Sequence, residues 1–132
     1  MSDTKIKVRG YHLDLYGHVN NARYLEFLEE ARWAMIEEKI DLGELKKRGI
    51  GMVVVNINID YKLPANLGDL LRVTSTIDRI GAKSATVKQL ITSEVSGQLI
   101  ASAQVTFVII DIATQKVIAI DDDTRDLLQK FS

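Results

Sequence analysis

The sequence has no cysteine and only two histidines among its 132 residues. The missing thiols exclude disulfide bonds, a cysteine nucleophile and thiolate metal ligands. Two histidines without a thiolate partner have poor spacing for a transition-metal site. We therefore expect neither a metal nor a cofactor.

Charge excess and long apolar runs are also missing. Lysine and arginine number 17 against 18 aspartates and glutamates, which gives a net charge of −1. Such a balance offers no strong field for nucleic acid or an anionic membrane surface. No apolar run approaches the roughly 18 residues of a membrane span, and the N-terminus lacks the residue order of a signal peptide. We expect a cytoplasmic protein with no nucleic-acid partner and no membrane span.

Length and composition favour one domain over residues 1–132, with 46% hydrophobic residues for its core. Period-two alternation predicts strands at residues 5–9, 52–62, 71–77, 84–92, 99–112 and 117–120. Helical periodicity predicts a long helix from about Asn21 to about Ile40. Shorter helices are expected after Asp41 and after Asp122 or Asp123, which would act as caps.

These elements predict an α+β fold in which one long central helix is wrapped by a curved antiparallel sheet of five to six strands. In the strand at residues 52–62, alternation places five apolar side chains on one face: Val53, Val55, Ile57, Ile59 and Tyr61. The sheet edges need cover, and a symmetric dimer in which the sheets continue across the interface would provide it.

The stretch that begins at Asp14 carries the chemistry of interest. A polar turn places Asp14 just before the helix, and Asn20 or Asn21 can cap the first helical N–H groups. Those N–H groups attract negative charge. A carboxylate beside them is suited to a carbonyl that becomes an oxyanion. The alternative is an aspartate that only bonds nearby N–H groups in a turn.

The same stretch resembles a known family. Asp14, the run from His18 to Asn21, and Tyr24 are similar to the hotdog-fold acyl-CoA thioesterases of the 4-hydroxybenzoyl-CoA thioesterase type. Pro64 with the Gly68-Asp69 pair is a second mark. The similarity is greater to the bacterial long-chain acyl-CoA thioesterase III branch, and the shared runs are residues 6–14, 18–33 and 53–59. The resemblance implies a hotdog fold with active sites at a dimer interface, in a homodimer or homotetramer. It also implies hydrolysis of medium- to long-chain fatty acyl-CoA.

The resemblance assigns roles to individual residues. Asp14 matches the catalytic aspartate, either as nucleophile or as general base towards water. The Asn21 backbone N–H matches the oxyanion donor, and Gly17 would let the backbone approach the thioester. His18 is a functional position in plant acyl-carrier-protein thioesterases, where it could orient Asp14 or shuttle a proton; alternatively it is bonded within the loop. Tyr24, which opens the helix, is assigned to substrate binding.

Coenzyme A requires partners for its phosphates. Arg79, Lys83 and Ser84 surround the Gly81 turn, where relatives bind the nucleotide, and the two cations would pair with phosphate. The turn could equally be an ordinary charged hairpin tip.

Three other functions remain open. The acyl carrier could be acyl-carrier protein instead of CoA, although no broad basic docking surface is present. A hotdog hydratase would use His18 as base, but the His-Phe-Pro context of dehydratases is missing. A non-catalytic acyl-CoA-binding module should lack the catalytic carboxylate, whereas Asp14 is present.

Overall fold

The computed structural model describes residues 2–132. Its helices and strands follow one another in the order β1 (Ser2–Lys7), α1 (Asn21–Lys39), α2 (Leu42–Lys47), β2 (Ile50–Tyr61), β3 (Leu70–Ile80), β4 (Ser84–Ser93), β5 (Leu99–Asp111), β6 (Lys116–Val117) and α3 (Asp122–Gln129). A single turn of 3-10 helix, Gly10–His12, links β1 to the stretch before α1.

The strands form one six-stranded sheet in the order β1-β3-β4-β5-β2, with β6 paired to β5. Every neighbouring pair is antiparallel. Short turns join β3 to β4, β4 to β5 and β5 to β6, because an antiparallel neighbour needs only a tight turn. Strands β1 and β2 therefore lie at the two ends of the main strand order.

Helix α1 begins where its sequence provides a cap. Asn20 has an extended backbone, and its side-chain oxygen accepts a hydrogen bond from the Ala22 N–H at 2.9 Å. The helix then packs one stripe onto the sheet, with Leu28 fully buried at its centre. The predicted helix is confirmed, ending one residue before the predicted Ile40.

The sheet buries alternate residues against α1, as the period-two pattern predicts. In β3 the buried positions are Leu71, Val73, Ser75 and Ile77. Apolar residues of β4 and β5 complete two adjoining core clusters, one around Leu28 and one around Met35. The predicted α+β class, with one long helix on an antiparallel sheet, is confirmed.

The predicted face of β2 is wrong for its first half. Val54 lies opposite Phe107 and Asn56 lies opposite Thr106, so Val55 is an extra residue in a β-bulge. A bulge exchanges the two faces of a strand on one side of it. Val54 therefore shares the helix-facing side with Ile57, whereas Val53 points to the outer side.

The ends of several elements also differ from the predictions. The first strand is Ser2–Lys7 instead of residues 5–9, and the predicted strand at 117–120 shortens to Lys116–Val117. Asp121 caps α3, not Asp122 or Asp123, because its side-chain oxygen accepts the Thr124 N–H at 2.8 Å.

Within residues 2–132, no helix has the length and apolar character needed to cross a membrane.

Candidate active site

Asp14 holds the loop before α1 (residues 14–20, here the Asp14 loop) through one carboxylate oxygen. Its Oδ1 accepts hydrogen bonds from the N–H groups of Tyr16, at 2.8 Å, and His18, at 3.1 Å. The Asp14 N–H donates to the His18 carbonyl at 2.7 Å, and the Gly17 N–H donates to the Asp14 carbonyl at 3.2 Å. Oδ2 receives no hydrogen bond from the described chain, so half of the carboxylate is free.

The first N–H groups of α1 are the second part of the site. The Asn20 N–H donates to the His12 carbonyl at 2.9 Å, and the Arg23 N–H donates to the Asn20 carbonyl at 2.8 Å. With Ala22 taken by the Asn20 side chain, the N–H of Asn21 is left without an acceptor in residues 2–132. A free N–H at the positive end of a helix dipole is a ready donor to an oxyanion.

Contacts with the rest of the chain fix the position of the Asp14 loop. His18 forms an isolated bridge with Asn66, and the Val19 N–H donates to the Ala65 carbonyl at 2.9 Å. The buried Tyr24 hydroxyl accepts the Ala65 N–H at 3.1 Å. Burial is the main cause that raises the pKa of Tyr24, so the phenol stays protonated. Tyr24 thus ties α1 to the segment that leads into β3.

Gly17 and His18 lie at the exposed tip of the loop. Gly17 has φ of 78°, in the left-handed region that glycine adopts without steric cost. The His18 imidazole is exposed, and its residue contacts Asp14 through the main chain. Leu15 and Tyr16 are also exposed, by 91% and 80%, next to the free carboxylate oxygen. The tip is therefore open to a substrate or a second protomer.

His12 has a structural role next to the Asp14 loop. Its Nδ1 accepts the Arg9 N–H at 2.8 Å, and its ring meets Phe27 edge-on with centroids 4.9 Å apart. Burial, followed by the positive charge of Arg23, lowers the pKa of His12. A neutral imidazole is consistent with an Nδ1 that accepts a hydrogen bond.

The predicted CoA-binding residues lie far from the Asp14 loop within one chain. Arg79, Lys83 and Ser84 surround the turn between β3 and β4, whereas Ala65, which the loop contacts, precedes the opposite end of β3. That strand has 11 residues, which separates its two ends by about 33 Å. Arg79 and Lys83 are exposed and Ser84 is half-buried.

Residues 2–132 contain no group of three or more histidine, aspartate or glutamate side chains that could hold a metal ion.

The sequence that contains this carboxylate and this helix start matches a known protein family. The sequence profile of the thioesterase-like superfamily matches residues 8–128. The chain belongs to the thioesterase-like superfamily.

Individual members of the superfamily are similar over most of their length. The chain is 52% identical over 128 residues to the long-chain acyl-CoA thioesterase FadM of Escherichia coli strain K12, with 97% of each chain covered. The crystal structure of the probable thioesterase YbaW from Escherichia coli has a TM-score of 0.93 at 50% identity, covering 99% of this chain and 98% of that chain.

A more distant structure shows the fold alone. Slr0204, a 1,4-dihydroxy-2-naphthoyl-CoA thioesterase from Synechocystis, has a TM-score of 0.84 at 24% identity, over 96% of this chain and 94% of that chain. Together these similarities confirm the predicted hotdog architecture.

Two contacts that hold α1 in place were not predicted from the sequence. The Tyr61 hydroxyl donates to the Asn21 carbonyl at 3.0 Å and so holds the first turn of α1 from the end of β2. Further along, the fully buried Gln89 donates through Nε2 to the Leu28 carbonyl at 3.0 Å and to Ser75 Oγ at 2.9 Å. The sequence signal for these contacts was limited to a tyrosine and a glutamine at strand positions that face the helix.

Proposed function

We propose that this chain hydrolyses medium- and long-chain fatty acyl-CoA to free fatty acid and CoA. The observation that carries the proposal is that the Asp14 Oδ2 and the Asn21 N–H, which lie at the two ends of the same short loop, both lack a hydrogen-bond partner in residues 2–132. The 52% identity to a long-chain acyl-CoA thioesterase supports the choice of substrate. A cytoplasmic location is part of the proposal, because CoA thioesters are intracellular metabolites.

The proposed reaction begins at the thioester carbonyl carbon. Asp14 either attacks it directly, which gives a mixed anhydride, or removes a proton from a water that attacks. The carbonyl oxygen becomes negatively charged and accepts the Asn21 N–H. Collapse of the tetrahedral species breaks the carbon–sulfur bond and releases the CoA thiolate, which then takes up a proton. Water completes hydrolysis of the anhydride in the first route.

The other loop residues have supporting roles in the proposal. Gly17 gives the thioester close access to the backbone, since it carries no Cβ. His18 lies on the same exposed tip, from which its imidazole could deliver the proton that the thiolate needs. Tyr24 acts on the substrate indirectly, because its buried hydroxyl fixes the helix start.

Asp14→Asn tests the assignment of the carboxylate. Asparagine keeps an oxygen that can accept the Tyr16 and His18 N–H groups, so the loop should keep its shape. We expect thiol release from acyl-CoA to fall by at least about 10²-fold. Asp123→Asn, which changes an exposed carboxylate of α3, is the matched control and should retain full activity. Full activity of Asp14→Asn would refute the role of Asp14.

A ladder of acyl-CoA chain lengths, with the same acyl groups on acyl-carrier protein, identifies the substrate. We expect CoA release to rise with chain length into the medium and long range and to exceed release from the carrier protein. Faster turnover of the carrier-protein esters would select that alternative. Binding of acyl-CoA without any thiol release would select the non-catalytic module.

The oligomer is a further part of the proposal. Strand β2 ends the sheet order, and its three consecutive valines, Val53, Val54 and Val55, are 40–57% exposed. An unpaired apolar edge favours pairing with a second copy. We propose a homodimer through β2, with a tetramer as a dimer of dimers. Val55→Lys should shift the sedimentation coefficient towards the monomer, whereas Val95→Lys at the exposed β4–β5 turn should not.

A partner protomer would also explain the distant CoA residues. We propose that Arg79, Lys83 and Ser84 of one protomer contact the nucleotide of a substrate bound at the Asp14 loop of another. Arg79→Gln and Lys83→Gln should raise KM for acyl-CoA with little change in kcat. Lys88→Gln, an exposed cation in the middle of β4, is the control. An unchanged KM in both turn variants would exclude this contact.

A further inference from the structure

An apolar cavity of about 430 Å³ lies beyond the Asp14 loop, at the other end of α1. Its walls come from the second half of α1, from α2, from the first half of β2 and from α3. None of its lining residues belongs to the Asp14 loop. Its volume is in the range of small-molecule sites in proteins.

The walls are apolar apart from a few side chains. Apolar lining residues include Trp33, Ile36, Leu45, Met52, Phe107 and Ile109. Trp33 is 47% exposed, so its indole lies where the cavity opens to solvent. Such a lining favours an alkyl chain, at roughly 0.8 kcal/mol for each CH₂ group removed from water.

One wall residue, Arg32, is a cation without an acidic partner. Its guanidinium makes one hydrogen bond, from Nη1 to Gln89 Oε1 at 3.1 Å. It forms no ion pair with any carboxylate of the described chain. Burial lowers the pKa of Arg32, and the smaller opposing effect is that of Glu29, one turn earlier on α1, which raises it. Four of the five guanidinium N–H groups thus remain available in a partly buried place.

The charged lining side chains are two cations, Arg32 and Lys46, and one acid, Glu29. An alkyl chain alone would leave the Arg32 donors without acceptors, which is costly away from water. A carboxylate would accept two parallel hydrogen bonds from the guanidinium. Charge and shape together therefore match an amphipathic anion with one carboxylate and one alkyl chain.

We propose that this cavity binds a free fatty acid, with its carboxylate on Arg32 and its chain between α1 and β2. Arg32 follows Asn21 by eleven helical residues, which places the carboxylate about 16 Å along α1 from the Asn21 N–H. Within one chain, the site is thus separate from the Asp14 loop, and it would take the same class of compound that hydrolysis is proposed to release. The inference does not depend on hydrolysis, since a free acid is no substrate.

Titration calorimetry with sodium decanoate tests the site in the full chain. We expect saturable binding that Arg32→Gln weakens by about tenfold or more, because a charge-assisted contact is lost. Arg32→Lys keeps the charge but cannot make two parallel hydrogen bonds, so its decanoate affinity should lie between those of Arg32→Gln and the wild type. Arg48→Gln removes a nearby cation that does not line the cavity and should bind decanoate as the wild type does.

A second variant covers the case in which Arg32→Gln is poorly folded. Leu45→Trp fills the cavity from α2 without changing Arg32, and it should also weaken decanoate binding by about tenfold. Equal decanoate affinity in the wild type, Arg32→Gln and Leu45→Trp would overturn the proposal, as would equally tight binding of decanol. Thiol release from acyl-CoA is measured separately, so failure here leaves the hydrolysis proposal untouched.

Discussion

Replacing Gln89 by leucine would break the polar contact that joins the middle of α1 to the sheet. Gln89 is 0% exposed, and so is Ser75, one of its partners. Its amide makes three hydrogen bonds: it donates to the Leu28 carbonyl and Ser75 Oγ, and it accepts from Arg32. Leucine has a similar volume, so the main loss is these bonds and not a cavity.

The magnitude follows from the partners that remain. The Leu28 carbonyl keeps its helical hydrogen bond, whereas the Ser75 hydroxyl and the Arg32 guanidinium lose a partner in a partly or fully buried place. A buried group left unsatisfied costs about 1–3 kcal/mol. We therefore expect Gln89→Leu to lower the free energy of unfolding by about 2–3 kcal/mol. For a chain of this size the melting temperature should fall by roughly 6–12 °C.

Urea unfolding followed by circular dichroism measures this loss as a shift of the midpoint at constant slope. The control is Gln104→Leu, the same change at an exposed position of β5, which should stay within about 0.5 kcal/mol of the wild type. A Gln89→Leu midpoint equal to that of the wild type would refute the reasoning, because the network would then contribute nothing to stability.

Three further predictions concern the Asp14 loop and its supports. Gly17→Ala should lower the rate of thiol release and cost about 1–2 kcal/mol in urea unfolding, because alanine is strained at φ of 78°. Tyr24→Phe should cost about 1–3 kcal/mol, since the buried Ala65 N–H loses its acceptor; an unchanged urea midpoint would contradict this. The pKa of His12 is lowered in the folded state from its ordinary value of 6.5, so the unfolded chain binds the proton more tightly. Stability is therefore expected to fall as the pH drops through about 6.5, and His12→Gln should weaken that dependence in urea titrations.

Local signals account for what could be predicted from the sequence. The ends of α1 are set by Asn20 as cap and by the helical periodicity that follows, and both signals lie within a few residues. Asp14 was identifiable as a candidate because a carboxylate lies shortly before the helix start at Asn21, but the residues alone left open an aspartate that only bonds N–H groups in a turn, and the family resemblance favoured the catalytic role. The family resemblance added the reaction and the hotdog architecture.

Features that depend on packing could not be predicted. The bulge at Val55 falls in a run of three valines, where apolar side chains satisfy either face and the alternation gives no warning. Three consecutive aspartates, residues 121–123, each satisfy the cap signal of α3, and the structure uses the first. The contact of Gln89 with Arg32 joins residues 57 positions apart, and no local pattern specifies such a pair.

The two carboxylate oxygens of Asp14 have separate roles, one structural and one proposed to be chemical, which enzymes often assign to different residues. Oδ1 shapes the loop, and Oδ2, which no group of the described chain bonds, is the oxygen that we propose acts on the substrate. Asparagine, which is one nucleotide change away from aspartate, can keep the first task while abandoning the second. A lineage with this loop could therefore lose turnover in a single step and keep its binding surface intact. Proteins that bind acyl-CoA without hydrolysing it could evolve from such enzymes through variants that all remain folded.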